Sequence, residues 1–195
     1  VEEYLPHAAI VYDRYHMQAQ YGKEVLGSVR LEEAARHQKF ANEIESQITK
    51  DMDKATVKEL RNKAKSERKL YRKLKKSRWN ILKKSTNLSE DSAEDLADIL
   101  DDHKALSICY AMKEEMCGLF ELSNPVLAEI MWEEWFTVAK ESGIPQLEKF
   151  AKLKEKRLHG LIAHATHPIN TGKLEGFNNK IKVAKRIGYG YRNDD

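Results

Sequence analysis

Residues 7–16 read HAAIVYDRYH, and their reading decides the fold class. Ala8 to Tyr12 is a short apolar run with β-branched residues that stops at Asp13. Such a run predicts a buried strand with an acid at its carboxyl end, which is where open α/β sheets place ligands. The competing reading of Asp13 is a plain N-cap for the helix that follows. Outward from there, about Tyr15 to about Lys75 contains no Pro and only Gly22 and Gly27, while Val25, Val29, Phe40, Ile44 and Ile48 recur at helical spacing. One long helix, or two in series, is expected. Arg78 to Leu82 (RWNIL) is a second strand candidate, although a short apolar run can equally continue a helix.

Further on the pattern is helical throughout. Ser89 is placed to cap a helix whose first turn is acidic, as the helix dipole favours. His103 to Leu122 reads as a second helix, and Pro125 to Ser142 as a third with Pro in its first turn. Gly143 supplies a left-handed stop before Ile144 and Pro145 open a fourth, which ends at His167-Pro168. Asn170 or Thr171 can then cap a last helix through Glu175 to about Ile187. Together these elements predict a mostly α chain with a small α/β part.

Composition narrows the class. The 195 residues are 41% hydrophobic and 33% charged, enough for one buried core and unlike a disordered tail. With Gly at 9 and Pro at 4, the turns that a sandwich or barrel requires are too few. No apolar run approaches the ~20 residues that span a bilayer, so no membrane partner is expected. The opening VEEYLPHAAIVYD lacks a basic region followed by an apolar one, so a secretion signal is not expected either. Cys109 and Cys117 lie eight apart on one predicted helix, about 12 Å by helical rise, too far to bridge. Free thiols fit a reducing compartment, and the cytoplasm is the expected location. Val1 at the start, and YGYRNDD at the end with no closing element, predict a piece of a longer chain.

The net charge of +3 conceals an asymmetry. Lys50 to Lys84 holds fifteen Lys and Arg against four Asp and Glu, Ser89 to Glu148 three against fifteen, and Lys149 to Arg192 eleven against two. Basic blocks can neutralise phosphates, though a charged helix face is also an ordinary solvated face.

The stretch NTGKLEGFNNKIKVAKRIGYGYR, residues 170–192, bears the most chemistry. On a helix, Phe177, Ile181 and Ala184 share one stripe, and Glu175, Asn178, Asn179, Lys182 and Arg186 share another. That second stripe is either a solvated face or an acid aimed at a metal among donors for phosphate. Tyr189 and Tyr191 could stack on an unpaired base or pack the tail. His164 and His167 form an HxxH pair beside Pro168 that reads as surface loop in preference to metal site, and Trp132, Trp135 and Phe136 read as core.

HAAIVYDRYH and TGKLEGFNNKIKVAKRIGYGYR together resemble the second and third acidic blocks of DDE transposases of the ISL3 type, from bacterial insertion sequences. The resemblance implies a ribonuclease-H-like sheet that carries a helical insertion. It divides the chain into a partial core (1–88), the insertion (89–167) and a Glu-bearing basic helix that returns to the core (168–195). By the same resemblance Asp13 and Glu175 are catalytic and metal-ligating, facing one another, while Asn178, Asn179, Lys182, Lys185, Arg186 and Tyr189 match the motif that meets DNA. The first Asp is expected before residue 1, which leaves this piece with little activity of its own. Two Mg²⁺ or Mn²⁺ ions are the implied cofactor, held weakly here, and no zinc is expected. DNA, as transposon ends and target, is the implied partner, near the bacterial nucleoid. A strand at residues 8–12 with its neighbour missing would offer an unpaired edge to another copy, so a homo-oligomer is expected. The rivals are a non-catalytic helical module that binds nucleic acid or a partner, and a metal nuclease of the same fold that does not join strands.

Overall fold

Asp53 divides the long helical stretch in two. A computed structural model describes residues 7–168. In it the Asp53 carboxylate accepts from the backbone N–H groups of Ala55 and Thr56 at 2.9 and 3.0 Å. These bonds start α3 (Lys54–Lys76). Before it run α1 (Arg14–Tyr21), a wider π turn at Gly22–Leu26 and α2 (Gly27–Ser46), all in helical backbone. α2 and α3 pack along their lengths as an antiparallel hairpin. Buried Arg30 donates to the carbonyls of Leu74 and Lys75 at 2.8 and 3.1 Å, supplying donors that the end of α3 lacks.

A short α4 (Arg78–Leu82) and a 3₁₀ turn at Ser85–Asn87 lead into the remaining helices. These are α5 (Glu90–Asp102), α6 (Lys104–Leu119), α7 (Pro125–Glu141), α8 (Pro145–Glu155) and α9 (Leu158–Thr166). Ser89 stands at the N-cap position of α5, but its hydroxyl bonds the Ser92 hydroxyl at 3.0 Å and not the helix backbone, while the punctuation around α7 works as its chemistry predicts. Asn124 caps α7 by accepting from Val126 and Leu127, Pro125 occupies its first turn, and Gly143 takes φ +70°. The expected fourth helix of this region is two, because Arg157 leaves helical geometry (φ −116°, ψ 19°) and turns the chain from α8 into α9.

The expected ribonuclease-H-like sheet is not there: the described residues contain no strand. Residues 8–13 belong to no helix or strand, with Asp13 itself in extended backbone (φ −71°, ψ 126°), and among the described residues no ladder pairs them. They lie on a helix instead. Tyr12 donates its N–H to the carbonyl of Gly160 on α9 at 3.1 Å. A Cβ at Gly160 would overlap the Tyr12 ring, so the close approach requires glycine there. RWNIL is α4, as the alternation test shows. Trp79 is 66% exposed and Ile81 1%, although a strand would put both on one face. The bonds Ile81 N–H to Ser77 and Lys83 N–H to Trp79, both 3.1 Å, are helical.

One core joins the helices. Tyr21, Val25 and Leu26 meet Leu106, Cys109 and Met116 of α6, together with Trp132, Trp135 and Phe136 of α7 and Phe150 of α8. The three aromatic residues of α7 are core, as their spacing predicts. Polar atoms inside are matched: the Tyr21 hydroxyl donates to the carbonyl of Cys109 at 2.8 Å and the Trp135 indole to that of Met112 at 2.9 Å. Both cysteines are free and buried, and burial pushes the Cys109 thiol up to about 12. Among the described residues no helix is long and apolar enough to cross a membrane.

Two polar clusters tie earlier helices to later ones. His37 of α2 meets Glu67 of α3 at 2.6 Å and His103 at 2.8 Å, and His103 donates to the carbonyl of Ile99. Lys113 of α6, only 5% exposed, donates to the carbonyls of Ile81 and Lys83 at 3.0 and 2.6 Å and pairs with Glu114 at 2.8 Å. Replacing Lys113 by Met strips two carbonyls and one carboxylate of their partner, so unfolding free energy should fall by about 2–4 kcal/mol. Lys152→Met, on an exposed i,i+4 pair, should change it by less than about 0.5 kcal/mol. Urea unfolding of the two variants compares them.

Candidate functional site

The segment resting on α9 delivers Asp13 to the start of α1, where its carboxylate accepts from the His16 N–H at 2.9 Å. The N-cap reading of this residue is therefore realised. Its position also gives it a second setting. Asp13 lines a cavity of about 220 Å³ together with Tyr12, His16, Met17, Lys154, Arg157 and Leu161. Lys154 comes from the last turn of α8 and Arg157 from the bend before α9, so the break between those helices opens onto Asp13.

Both cations are held by aromatic faces. The Arg157 guanidinium lies 5.4 Å from the centre of the Tyr12 ring, and the Lys154 ammonium 5.3 Å from that of Phe150. Lys154 also donates to the Gln20 side chain at 2.5 Å. Partial burial, and next the Arg157 charge, lower the Lys154 pKa, with Glu24 opposing. One carboxylate and two cations on a small cavity make a place where an anion can sit beside an acid.

Lys154 and Arg157 were not among the candidates from sequence. Both fall in the basic block that starts at Lys149, but no spacing rule links them to Asp13 about 140 residues earlier. Glu175, Asn178, Asn179, Lys182, Lys185, Arg186 and Tyr189 lie outside the described residues, as does the expected helix that bears them. The described chain nevertheless ends close to the same segment. Thr166, His167 and Pro168 share a surface hollow with His7, Ala9 and Val11.

The HxxH pair is not a surface loop. His164 is 6% exposed on α9, edge-on to the Phe120 ring at 5.1 Å, while His167 is exposed at the helix end. Three positions apart within a helix the two would share a face, but α9 ends at Thr166 and His167 leaves helical backbone (φ −126°, ψ 77°), which separates it from His164. Among the described residues no group of three or more His, Cys, Asp or Glu is placed to share a metal ion. Arg14 beside Asp13 pairs with Glu121 at 2.7 Å.

The whole chain, residues 1–195, matches the sequence profile of a DDE, ISL3-type family described as transposase. It is 33% identical over all 195 residues to the transposase for insertion sequence element IS1001 of Bordetella parapertussis, covering 41% of that protein. Over 122 residues, 62% of the chain, it is 28% identical to the transposase for insertion sequence element IS1557 of two Mycobacterium tuberculosis strains, CDC 1551 / Oshkosh and ATCC 25618 / H37Rv, covering 27% of each. The chain thus spans less than half the length of the relatives it matches. No solved structure matches it.

Burial, and next the Arg14 charge, hold the His164 pKa below its ordinary value against the pull of Asp13 and Glu121. The unfolded chain then takes up a proton near pH ~6.5 that the folded chain refuses, so stability falls as pH drops through that region. Urea midpoints of the parent should decrease from pH 7.5 to pH 5.5, and His164→Leu should flatten this part of the profile.

Proposed function

The chain belongs to the ISL3-type family of DDE transposases, and from that premise we propose that Asp13 and Glu175 are the second and third metal-ligating acids of a DNA strand-cleavage and strand-transfer site. In the intact protein the reaction is hydrolysis of phosphodiester bonds at transposon ends, followed by joining to target DNA. Residues 89–167 form a helical insertion between the two acid-bearing parts, 1–88 and 168–195. Two copies or more act together, since two ends are joined in one event, and the setting is the bacterial cytoplasm at the nucleoid.

The observation that carries this reading is the cavity at Asp13, with Lys154 and Arg157 on its wall and Pro168 beside the segment that leads to Asp13. Glu175 follows Pro168 by seven residues, a length of chain that can reach about 24 Å when extended. Carboxylate oxygens are the donors that Mg²⁺ and Mn²⁺ prefer, so the chemistry of this acid pair fits such an ion. A bound pair of ions would activate the attacking hydroxyl and stabilise the leaving oxygen of an in-line displacement. The chain's own part is to place the scissile phosphate. Arg157, braced on Tyr12, and Lys154, braced on Phe150, hold phosphate oxygens beside Asp13. Asn178, Asn179, Lys182, Lys185, Arg186 and Tyr189 add contacts to the neighbouring backbone and bases.

Manganese titration followed by electron paramagnetic resonance of the free ion tests the acid pair without requiring turnover. Asp13→Asn and Glu175→Gln should each weaken Mn²⁺ binding by the chain at least tenfold. In the intact transposase, each should reduce cleavage at transposon ends to the level without metal. Mn²⁺ binding equal to the parent in both variants would refute the assignment.

A further inference from the structure

α3 carries a line of charge that the fold itself does not use. Lys58, Arg61, Lys65, Lys69, Arg72 and Lys76 follow one another at intervals of three and four, so they share one stripe over five turns, about 27 Å. All six are exposed. Among the described residues none of the six has a carboxylate within 4.0 Å, whereas Lys63, Arg68 and Lys73 of the same helix are paired with Glu59, Glu45 and Asp98. The two acids of α3, Glu59 and Glu67, lie off the stripe. The side of α3 that packs is a different one, marked by buried Ala64 and Leu74.

Like charges at i,i+3 and i,i+4 destabilise a helix, so the stripe costs stability within this chain. A surface that serves only solubility mixes signs, as α2 does with Arg36 on Glu33 and Lys39 on Glu43. The ligand that fits the stripe is a polyanion. It has no aromatic or aliphatic anchor and four of its six residues are Lys, a residue depleted from protein interfaces. A DNA duplex carries about one charge per 1.7 Å of axis, and its major groove admits an α-helix.

We propose that this stripe of α3 is a docking surface for the phosphate backbone of a DNA duplex, which it positions without reading its sequence. The assignment rests on the reading that the chain acts on DNA, and it adds a contact surface separate from the cavity at Asp13. Six phosphate contacts would give a logarithmic salt dependence with a slope near −5, at about −0.9 per contact.

The test is fluorescence anisotropy of the chain with a labelled 30-base-pair duplex of arbitrary sequence, from 50 to 300 mM salt. The stripe variant combines Lys58→Gln, Arg61→Gln, Lys65→Gln and Lys69→Gln. A control of equal charge change combines Lys39→Gln, Lys63→Gln, Lys104→Gln and Lys152→Gln, all exposed elsewhere. The expected result is a slope shallower by about 3 to 4, and at least tenfold weaker binding at 100 mM, in the stripe variant alone. Its melting temperature should equal or exceed that of the parent, because repulsion has been removed. A slope equal to the parent's, an equal loss in the control, or a parent that binds no duplex at 50 mM salt would overturn the proposal. So would poly-glutamate binding that the duplex does not displace, which would assign the stripe to an acidic polypeptide. The manganese titration separates the two ideas, since dependence on Asp13 and Glu175 alongside an inert stripe removes only this surface.

Discussion

The ammonium of Lys113 is the constraint on which the arrangement of the helices depends. It sits in the interior of an acidic region and donates to two carbonyls at the end of α4 while paired with Glu114. Those carbonyls have no partner within their own short helix, and a buried cation without acceptors would be costly. The two deficits cancel only when α4 lies against α6. Burial works against ionisation of Glu114, but its bonds to Lys113 and Ser85 outweigh this and keep its pKa low. Because α4 follows α3 after one residue, docking it also sets where the α2–α3 hairpin stands.

Around that contact the charge pattern of the sequence becomes spatial. Arg30 and Lys113 are cations spent inside on helix-end carbonyls, whereas the stripe on α3 faces water. Tyr21 and Trp135 send their polar atoms to carbonyls of α6, so the central helix has matched groups where its neighbours are aromatic. The packing that results brings the junction of α8 and α9 against α1. It is this junction that puts Lys154 and Arg157 on the cavity of Asp13.

Features set by local backbone chemistry were legible in the sequence. Pro125 and Gly143 mark helix ends because one fixes φ and the other tolerates positive φ, whatever surrounds them. The aromatic residues of α7 were recognisable because their spacing leaves one face apolar. Residues 8–12 were not, since β-branched residues state a preference for extended backbone but cannot supply a partner strand. No strand forms there, and Tyr12 bonds to a helix instead. RWNIL and His164 failed for a related reason: a five-residue run or a lone pair of histidines is too short to reveal which side faces the core.

By itself, the sequence determined the helical majority, the helix-ending signals, the separation of basic from acidic segments and, through its last block, the transposase family. These are local or cumulative properties that residues carry with them. Tertiary structure alone decided that the segment before Asp13 rests on Gly160 of α9 in place of a sheet, that His164 is buried, and that two cations from the α8–α9 region line the cavity of that acid. Each of these depends on which surfaces meet across more than a hundred residues of chain. That choice belongs to the packing of the whole core, where Gly160 has room for one aromatic ring and no side chain of its own.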